Sequence, residues 1–350
     1  MIHYIHDYPG REINIKGEKY LYFGGTSYLG LQTDEEFQNV FIKNIKKYGT
    51  NYGASRNSNV RLKVFDKAET LLARIVGCEA AVTLSSGYLA GQFIAQNFNQ
   101  PEYKLYYAPY THSALYANYN KPAETFDDLN RAIRTQLATF ETIVPVVFLD
   151  SIDFEGCNFP EFNRLKELPL DQIILIADDS HGIGIIGENG EGVFRTLQKF
   201  NTKELIVCCS LGKSYGIQAG AVMGSAKRIE QLRKTAFFGG ASPAAPASIG
   251  TFLDSHSIYD VKREQLLANI AYFENRVQNM SYFKSMEGHP AYTFQDKKLS
   301  EYLENNGFVL TNFNYPEEST ALMSRIVISS HHLEHDIKLI TKAINTYYLG

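Results

Sequence analysis

The chain has 350 residues, a formal net charge of −4 and 21% charged residues. This length predicts one large and one smaller domain rather than a single small core. The negative net charge argues against nucleic acids and anionic membranes as partners, because both favour basic surfaces.

The four cysteines form neither a C-x-x-C pair nor a metal-ligand spacing with histidine. This pattern predicts reduced thiols in a cytoplasmic protein that binds no metal. Near the start of the sequence, Asp7, Arg11 and Glu12 stand where a signal peptide would need an apolar stretch. No run of eighteen apolar residues occurs, so we expect no membrane span.

From about residue 33, helical and strand-like patterns alternate along the chain. Apolar residues at helical spacing predict helices over residues 34–49 and 61–77, and each pattern stops at a glycine. Short apolar runs predict strands at 80–84, 104–108, 143–150, 172–179, 205–210 and 219–224. Buried strands separated by helices are typical of a mostly parallel sheet covered on both faces, which is an α/β fold.

A change of pattern near residue 225 predicts the domain boundaries. Beyond it the sequence has one long helical region and then mixed strand and helix, ending in an amphipathic helix within 331–348. We therefore expect an N-terminal arm over 1–44 that contributes to the small domain, a large domain over 45–230 and a small α+β domain over 231–350.

Ligands of open α/β sheets bind at the carboxyl ends of the strands, so residues at those ends are the candidates for chemistry. The run Ser86-Gly87-Tyr88 follows a predicted strand and begins a helix, where free N–H groups and the helix dipole suit a phosphate. The alternative is an ordinary serine N-cap. His112 follows the next strand and could stack on a flat ring or hydrogen-bond a ligand, although a lone histidine more often starts a helix or packs.

Two adjacent acids, Asp178 and Asp179, end a buried apolar strand and are followed by His181 and a glycine-rich run. Such acids are costly to bury unless a positive group is bound beside them. A protonated ring nitrogen of a ligand could be that positive group. A metal ion is the rival interpretation, although two aspartates and one histidine provide few ligands for it. The remaining alternative is a structural glycine-rich turn without a ligand.

The tripeptide Gly212-Lys213-Ser214 matches the end of a nucleotide-binding P-loop. That motif requires a glycine where this sequence has Val207, and no amphipathic helix follows, so the nucleotide interpretation fails. A lysine after a strand can instead form a Schiff base with a carbonyl cofactor. Ser210 would supply a hydroxyl for the phosphate of that cofactor.

Seven segments occur in a characteristic order. They are TSYLGL (26–31), YGTNYGASR (48–56), SSGYLAGQ (85–92), THSA (111–114), ADDSHGIGIIGENGEG (177–192), SLGKSYGIQAGAVMG (210–224) and FFGGASPAAPAS (237–248). Together they resemble the α-oxoamine synthase family of fold-type I pyridoxal phosphate (PLP) enzymes. The acid-histidine-glycine run followed by S-x-G-K is the most specific part of the match.

The resemblance implies a role for each candidate residue. Lys213 corresponds to the Schiff-base lysine, which later removes and returns the Cα proton, and Asp178 to the partner of the pyridinium nitrogen. His181 is expected to hydrogen-bond the ring hydroxyl, and His112 to stack on the ring. The expected phosphate contacts are Ser86, Gly87, Tyr88 and Ser210.

The sequence also departs from the family pattern. Phe65 stands where the family has a histidine, Ala108 where it has an acid, and Asp150 where glutamate is common. The range 239–240 is Gly-Gly in place of a Ser-Thr pair that binds phosphate across the dimer. The arginine that holds the substrate carboxylate aligns with Asn314, while Arg325 matches the family's strand arginine.

The family's activity implies a PLP-dependent acyltransferase. It would condense an amino acid with an acyl thioester, either acyl-CoA or acyl-carrier protein, and release carbon dioxide to give an aminoketone. The family also implies a homodimer with shared active sites. The alternatives are another PLP reaction, of the aminotransferase, racemase or aldolase type, and a PLP-fold subunit without turnover.

Overall fold

The strands and helices follow the predicted alternation. The computed structural model describes residues 2–117, 121–140, 142–315 and 322–349. The strands are β1 (Glu12–Ile15), β2 (Glu18–Phe23), β3 (Ala80–Leu84), β4 (Tyr103–Tyr107), β5 (Val144–Asp150), β6 (Ile174–Asp178), β7 (Glu204–Ser210), β8 (Gly220–Gly224), β9 (Ala291–Phe294), β10 (Phe308–Asn314) and β11 (Leu322–Val327).

The helices connect these strands or cover them. They are α1 (Glu35–Tyr48), α2 (Lys63–Val76), α3 (Gly87–Asn97), α4 (Phe126–Thr139), α5 (Phe194–Gln198), α6 (Ala226–Arg233), α7 (Ala236–Gly240), α8 (Pro246–Asp254), α9 (His256–Glu274), α10 (Lys297–Asn305) and α11 (Glu334–Leu349). Short 3₁₀ turns lie at Leu31–Thr33, Ser113–Leu115, Leu165–Glu167, Leu170–Gln172 and Met280–Tyr282. No described helix combines the length and the apolar character needed to cross a bilayer.

The chain forms two units. The small unit comprises Met1–Gln38, Phe154–Gly156 and Ser257–Gly350, and the large unit comprises Asn39–Asp153 and Cys157–His256. The domain boundaries expected from the sequence, near residues 44 and 230, stay a prediction.

The large unit is built on a six-stranded sheet of order β3-β8-β7-β6-β5-β4. Strands β4, β5, β6 and β7 are parallel, and β8 runs antiparallel to both of its neighbours. All six strands lie within two residues of their predicted positions. The predicted α/β fold with a mostly parallel sheet is therefore confirmed.

Both faces of this sheet are buried, which explains why its strands are apolar at successive positions. On one face Val146 and Ile174 pack with Phe93 of α3 in a core that also contains residues of α6 and α7. The intervening residues Val147 and Leu175 are fully buried as well. When both faces of a strand are covered, the side chains that point to either face are buried and therefore apolar. This explains the continuous apolar runs of the sequence.

A buried charge network ties α2 to the sheet. Glu69 is 2% exposed and receives two hydrogen bonds from the Arg56 guanidinium, at 2.9 and 3.2 Å, and one from Arg233 at 2.6 Å. The backbone and hydroxyl of Thr83 donate to the same carboxylate. The ring of Phe65 lies 4.0 Å from the Arg56 guanidinium carbon, so the position that departs from the family histidine is filled by a cation–π contact.

The small unit has a five-stranded sheet of order β1-β2-β10-β11-β9, in which β2 and β10 are parallel and the other pairs antiparallel. Within it, His332 accepts a hydrogen bond at Nδ1 from the Ser329 N–H and donates from Nε2 to the Tyr22 carbonyl. Burial lowers the pKa of His332 to about 4. This histidine is therefore a neutral structural cross-link at physiological pH.

The Glu69 network leads to a stability prediction. Glu69→Gln keeps the side-chain volume but turns an amide NH₂ towards a guanidinium in a buried site, so we expect a loss of about 3 kcal/mol in the free energy of unfolding. Urea denaturation measures it. Glu230→Gln is the matched control, because Glu230 pairs with Lys234 at 2.6 Å on the exposed surface and should leave the midpoint unchanged. Equal effects of the two substitutions would contradict the prediction.

Candidate active site

The candidate site lies at the carboxyl ends of β5, β6 and β7 in the large unit. Asp178, the last residue of β6, stands in register with Asp150 of β5 and Cys208 of β7. Its side chain is buried, and its Oδ1 accepts the Ser180 N–H at 2.8 Å. Parallel strands thus bring a carboxylate to the edge where ligands of such sheets bind.

Lys213 lies in the loop that follows β7. Its Nζ is 2.8 Å from Nε2 of His181, in the loop that follows β6. Electrostatic coupling links Lys213 to Asp150 and to His112. Amine, imidazole and carboxylate from different strand ends therefore converge, as the sequence predicts.

Ser180 joins the two loops. Its hydroxyl oxygen accepts the Ser210 N–H at 2.8 Å, while its own N–H binds Asp178. The Ser210 hydroxyl oxygen accepts the Gly212 N–H at 3.2 Å, so its proton is left for a ligand. Ser180, between the two acids and the histidine, is a site residue that no sequence motif singles out.

The start of α3 lies against this loop. Ser86 caps the helix, because its Oγ accepts the Leu89 N–H at 3.1 Å, so the N-cap alternative is realised. Among the described residues, no hydrogen bond uses the N–H of Gly87 or Tyr88. A Cβ added to Gly87 would lie 2.5 Å from the Ser210 Cβ, so glycine is required for this close approach. Two free N–H groups and the Ser210 hydroxyl form a cradle that fits a phosphate.

His112 is held in one tautomer. Its Nδ1 accepts the Ala114 N–H at 3.0 Å at the start of a 3₁₀ turn, so the helix-start alternative is realised here as well. Burial lowers the pKa of His112 against the attraction of Asp178. The imidazole is therefore neutral and carries its proton on Nε2, which makes it a hydrogen-bond donor.

Asp179 has a different role from its neighbour. Its carboxylate accepts the Ser151 hydroxyl at 2.6 Å and the Val193 N–H at 3.0 Å. Burial raises the pKa of Asp179 to about 7. A Cβ on Gly182 or Gly192 would lie 2.1 or 2.0 Å from its oxygens, so the carboxylate is enclosed by the glycine-rich loop. Asp179 fastens this loop and does not face a ligand.

Asp178 and Asp179 would have to act together to bind the metal ion of the rival hypothesis. In the described part of the chain, no group of three or more His, Cys, Asp or Glu side chains is arranged to hold a metal ion. Asp178 turns towards the Ser180 N–H, whereas Asp179 is enclosed by glycines. The two acids thus act separately.

The positions that depart from the family pattern are placed as follows. Ala108 is fully buried beside β4 and donates its N–H to the Phe148 carbonyl. The glycines at 239–240 end α7. In the small unit, Asn314 is exposed at the end of β10. Arg325 of β11 is buried, lies 3.5 Å from the centre of the Phe154 ring and forms no ion pair with any described acid.

These features define the class of fold. A mostly parallel sheet flanked by helices, with an acid at one strand end and a lysine after the next, is the arrangement of fold-type I PLP enzymes. A solved structure of SPT with PLP aligns over 96% of this chain and 89% of its own, with a TM-score of 0.80 and 17% identity. That likeness establishes the fold.

The chain belongs to the aminotransferase class I and II family, whose model matches residues 157–344. The 8-amino-7-oxononanoate synthase of Petrotoga mobilis is 26% identical over 94% of this chain and 88% of its own length. A serine palmitoyltransferase of Bacteriovorax stolpii is 23% identical over 92% and 81%, respectively. The resemblance to α-oxoamine synthases is confirmed, and the cofactor roles of the individual residues stay predictions.

The enclosure of Asp179 yields a test of the loop. Gly192→Ala combines a left-handed backbone, with φ of +75°, and a Cβ that collides with the carboxylate. Gly156→Ala is the control, because Gly156 has the same φ but nothing within 4 Å of the added Cβ. We expect Gly192→Ala to lower the free energy of unfolding by about 2 kcal/mol more than Gly156→Ala. Equal losses in urea denaturation would mean that the collision is relieved at no cost.

Proposed function

We propose that the chain is a PLP-dependent acyltransferase that condenses an amino acid with an acyl thioester and releases carbon dioxide, giving an aminoketone. The observation that carries the proposal is the 2.8 Å contact of Lys213 Nζ with His181 beside the buried Asp178. The names of the curated relatives, 8-amino-7-oxononanoate synthase and serine palmitoyltransferase, support this reaction type.

The residues present fit the cofactor. Lys213 would hold its aldehyde carbon, Asp178 its ring nitrogen and His181 its ring hydroxyl. The free N–H groups of Gly87 and Tyr88, with the Ser210 hydroxyl, would hold its phosphate. The carboxylate, amine, imidazole and phosphate cradle are the complementary groups for each polar part of PLP, and all belong to the large unit.

When bound, PLP supplies a ring that accepts electrons from the amino-acid carbon next to it. The chain's own residues manage the protons. Asp178, buried and anchored by the Ser180 N–H, would stabilise a positive ring nitrogen. Lys213 Nζ would take the Cα proton and return it, and its contact with His181 fixes the amine at one position.

His112 would cover the ring without adding charge. Its pKa is lowered by burial, and its Nδ1 is already occupied by the Ala114 N–H. A neutral imidazole leaves the negative charge of Asp178 to the ring nitrogen alone.

We further propose a cytoplasmic homodimer whose acyl donor is acyl-CoA or acyl-carrier protein. Four free cysteines, two of them fully buried in β7, are compatible with a reducing compartment. Large aromatic side chains exposed at the strand ends of the large unit, Tyr88 at 59% and Tyr110 at 57%, support coverage by a second copy.

Covalent cofactor capture tests the role of Lys213. The full chain, incubated with PLP and reduced with borohydride, should gain the cofactor mass at Lys213, as measured by peptide mass spectrometry. Lys213→Ala should gain none, whereas Lys203→Ala, which removes an exposed lysine before β7, should label like the wild type. Labelling of Lys213→Ala at wild-type level would refute the assignment.

Thiol release tests the reaction. We expect CoA to be released from acyl-CoA only when one particular amino acid is present, and about 10²–10⁴-fold more slowly in Lys213→Ala because the base is lost. An assay with acyl-carrier protein identifies the carrier. Formation of an oxo acid without any acyl donor would instead indicate an aminotransferase, and no turnover of a PLP-labelled chain would indicate a subunit without activity.

A further inference from the structure

A second acid stands beside the proposed cofactor-binding acid. Asp150 ends β5 in register with Asp178 at the end of β6. Adjacent strands are about 4.8 Å apart, so the two carboxyl groups occupy neighbouring positions at the same edge. Two like charges on neighbouring strand ends disfavour simultaneous ionisation.

The polar contacts of the two acids differ. Asp178 Oδ1 accepts the Ser180 N–H at 2.8 Å, and Asp150 Oδ2 accepts the His112 N–H at 2.9 Å. Among the described residues, no hydrogen bond reaches Asp150 Oδ1. Asp150 therefore fixes the backbone of His112 with one of its two oxygens.

The groups around Asp150 provide too little positive charge to balance ionised carboxylates at both Asp150 and Asp178. The groups that face it are Asp178 of β6, Lys213 of the loop after β7, the His112 N–H and Tyr116 of the segment after β4, Cys208 of β7 and Asp153 of its own loop. Lys213 is the sole cation of this described set, and it also contacts His181. Burial and the charge of Asp178 raise the pKa of Asp150 well above its usual range.

We propose that Asp150 is a positioning residue that remains a neutral carboxylic acid beside Asp178 and holds the His112 backbone, so that the two neighbouring acids do not both carry a charge at this edge. The benefit to the reaction rests on the proposed function, because the single charge is then reserved for the ring nitrogen. An ionised Asp150 would compete with Asp178 for any positive group bound there.

Infrared difference spectroscopy of the full chain measures the proton directly. At about pH 6, two units above the ordinary pKa of aspartate, the spectrum of the wild type minus that of Asp150→Asn should contain the C=O band of a protonated carboxylic acid. Asp171→Asn, which changes an exposed aspartate, should give a carboxylate band instead. A carboxylate band in the Asp150 difference would overturn the proposal.

Thermal unfolding against pH provides the second measurement. Unfolded aspartate ionises near pH 4 and folded Asp150 only well above it, so the wild type loses stability as the pH rises between these values. Asp150→Asn lacks this loss, and its Tm advantage over the wild type should grow with pH. Because the amide imitates a neutral acid, an Asp150→Asn chain that melts lower at all pH values, or fails to fold, would refute the proposal.

Both measurements are made with and without PLP. If PLP fails to bind, the proposed function fails, but the spectrum and the Tm profile of the cofactor-free chain still report the protonation of Asp150. If PLP binds and Asp150 gives a carboxylate band in either state, only the positioning proposal fails. The two hypotheses are therefore tested independently.

Discussion

The site depends on one constraint, which is the burial of acids at the carboxyl edge of a parallel sheet. The half-buried Asp150 ends β5, and the buried pair Asp178 and Asp179 stands at the end of the neighbouring strand β6. Water cannot solvate these groups fully, so each needs a donor, a cation or a proton of its own. The surrounding loops provide these in three different ways. Asp178 accepts a backbone N–H and would pair with a positive group of the cofactor, and Asp150 accepts a backbone N–H and carries a proton. Asp179 is enclosed by the glycine-rich loop.

The enclosure of Asp179 connects the glycine-rich loop with the residues of the proposed active site. Asp179 binds the Val193 N–H, fourteen residues further along the chain, and thereby folds the loop back on the end of β6. Gly182 and Gly192 are needed because a side chain would occupy the space of the carboxylate. This packing places His181 against Lys213. The structural contact between Asp179 and Val193 thus positions a residue of the proposed active site.

The sequence predicts the strands of the large unit and its mostly parallel sheet, but it does not predict the strand order or which strand is antiparallel. Runs such as Ile174–Asp178 are apolar at every position because both faces are covered, and this property is visible locally. The antiparallel direction of β8 depends on long-range connections that the five residues Gly220–Gly224 do not encode. Ser86 and His112 are helix or turn caps as well as site candidates, and sequence alone could not separate two roles that one residue fulfils together. The proton on Asp150 depends on burial and on a neighbouring strand, neither of which is a local property.

The acid-histidine-glycine motif is therefore mostly a folding device. Within residues 177–192, Asp178 and His181 face the site, while Asp179 and its glycines build the turn that holds them. A chain could keep those glycines, and thus the fold, after losing the groups that react. Catalysis also needs Lys213, which comes from a separate loop, reaches His181 at 2.8 Å and interacts electrostatically with Asp150. The convergence of independent loops on one carboxylate, rather than the motif itself, is the physical basis for inferring catalysis.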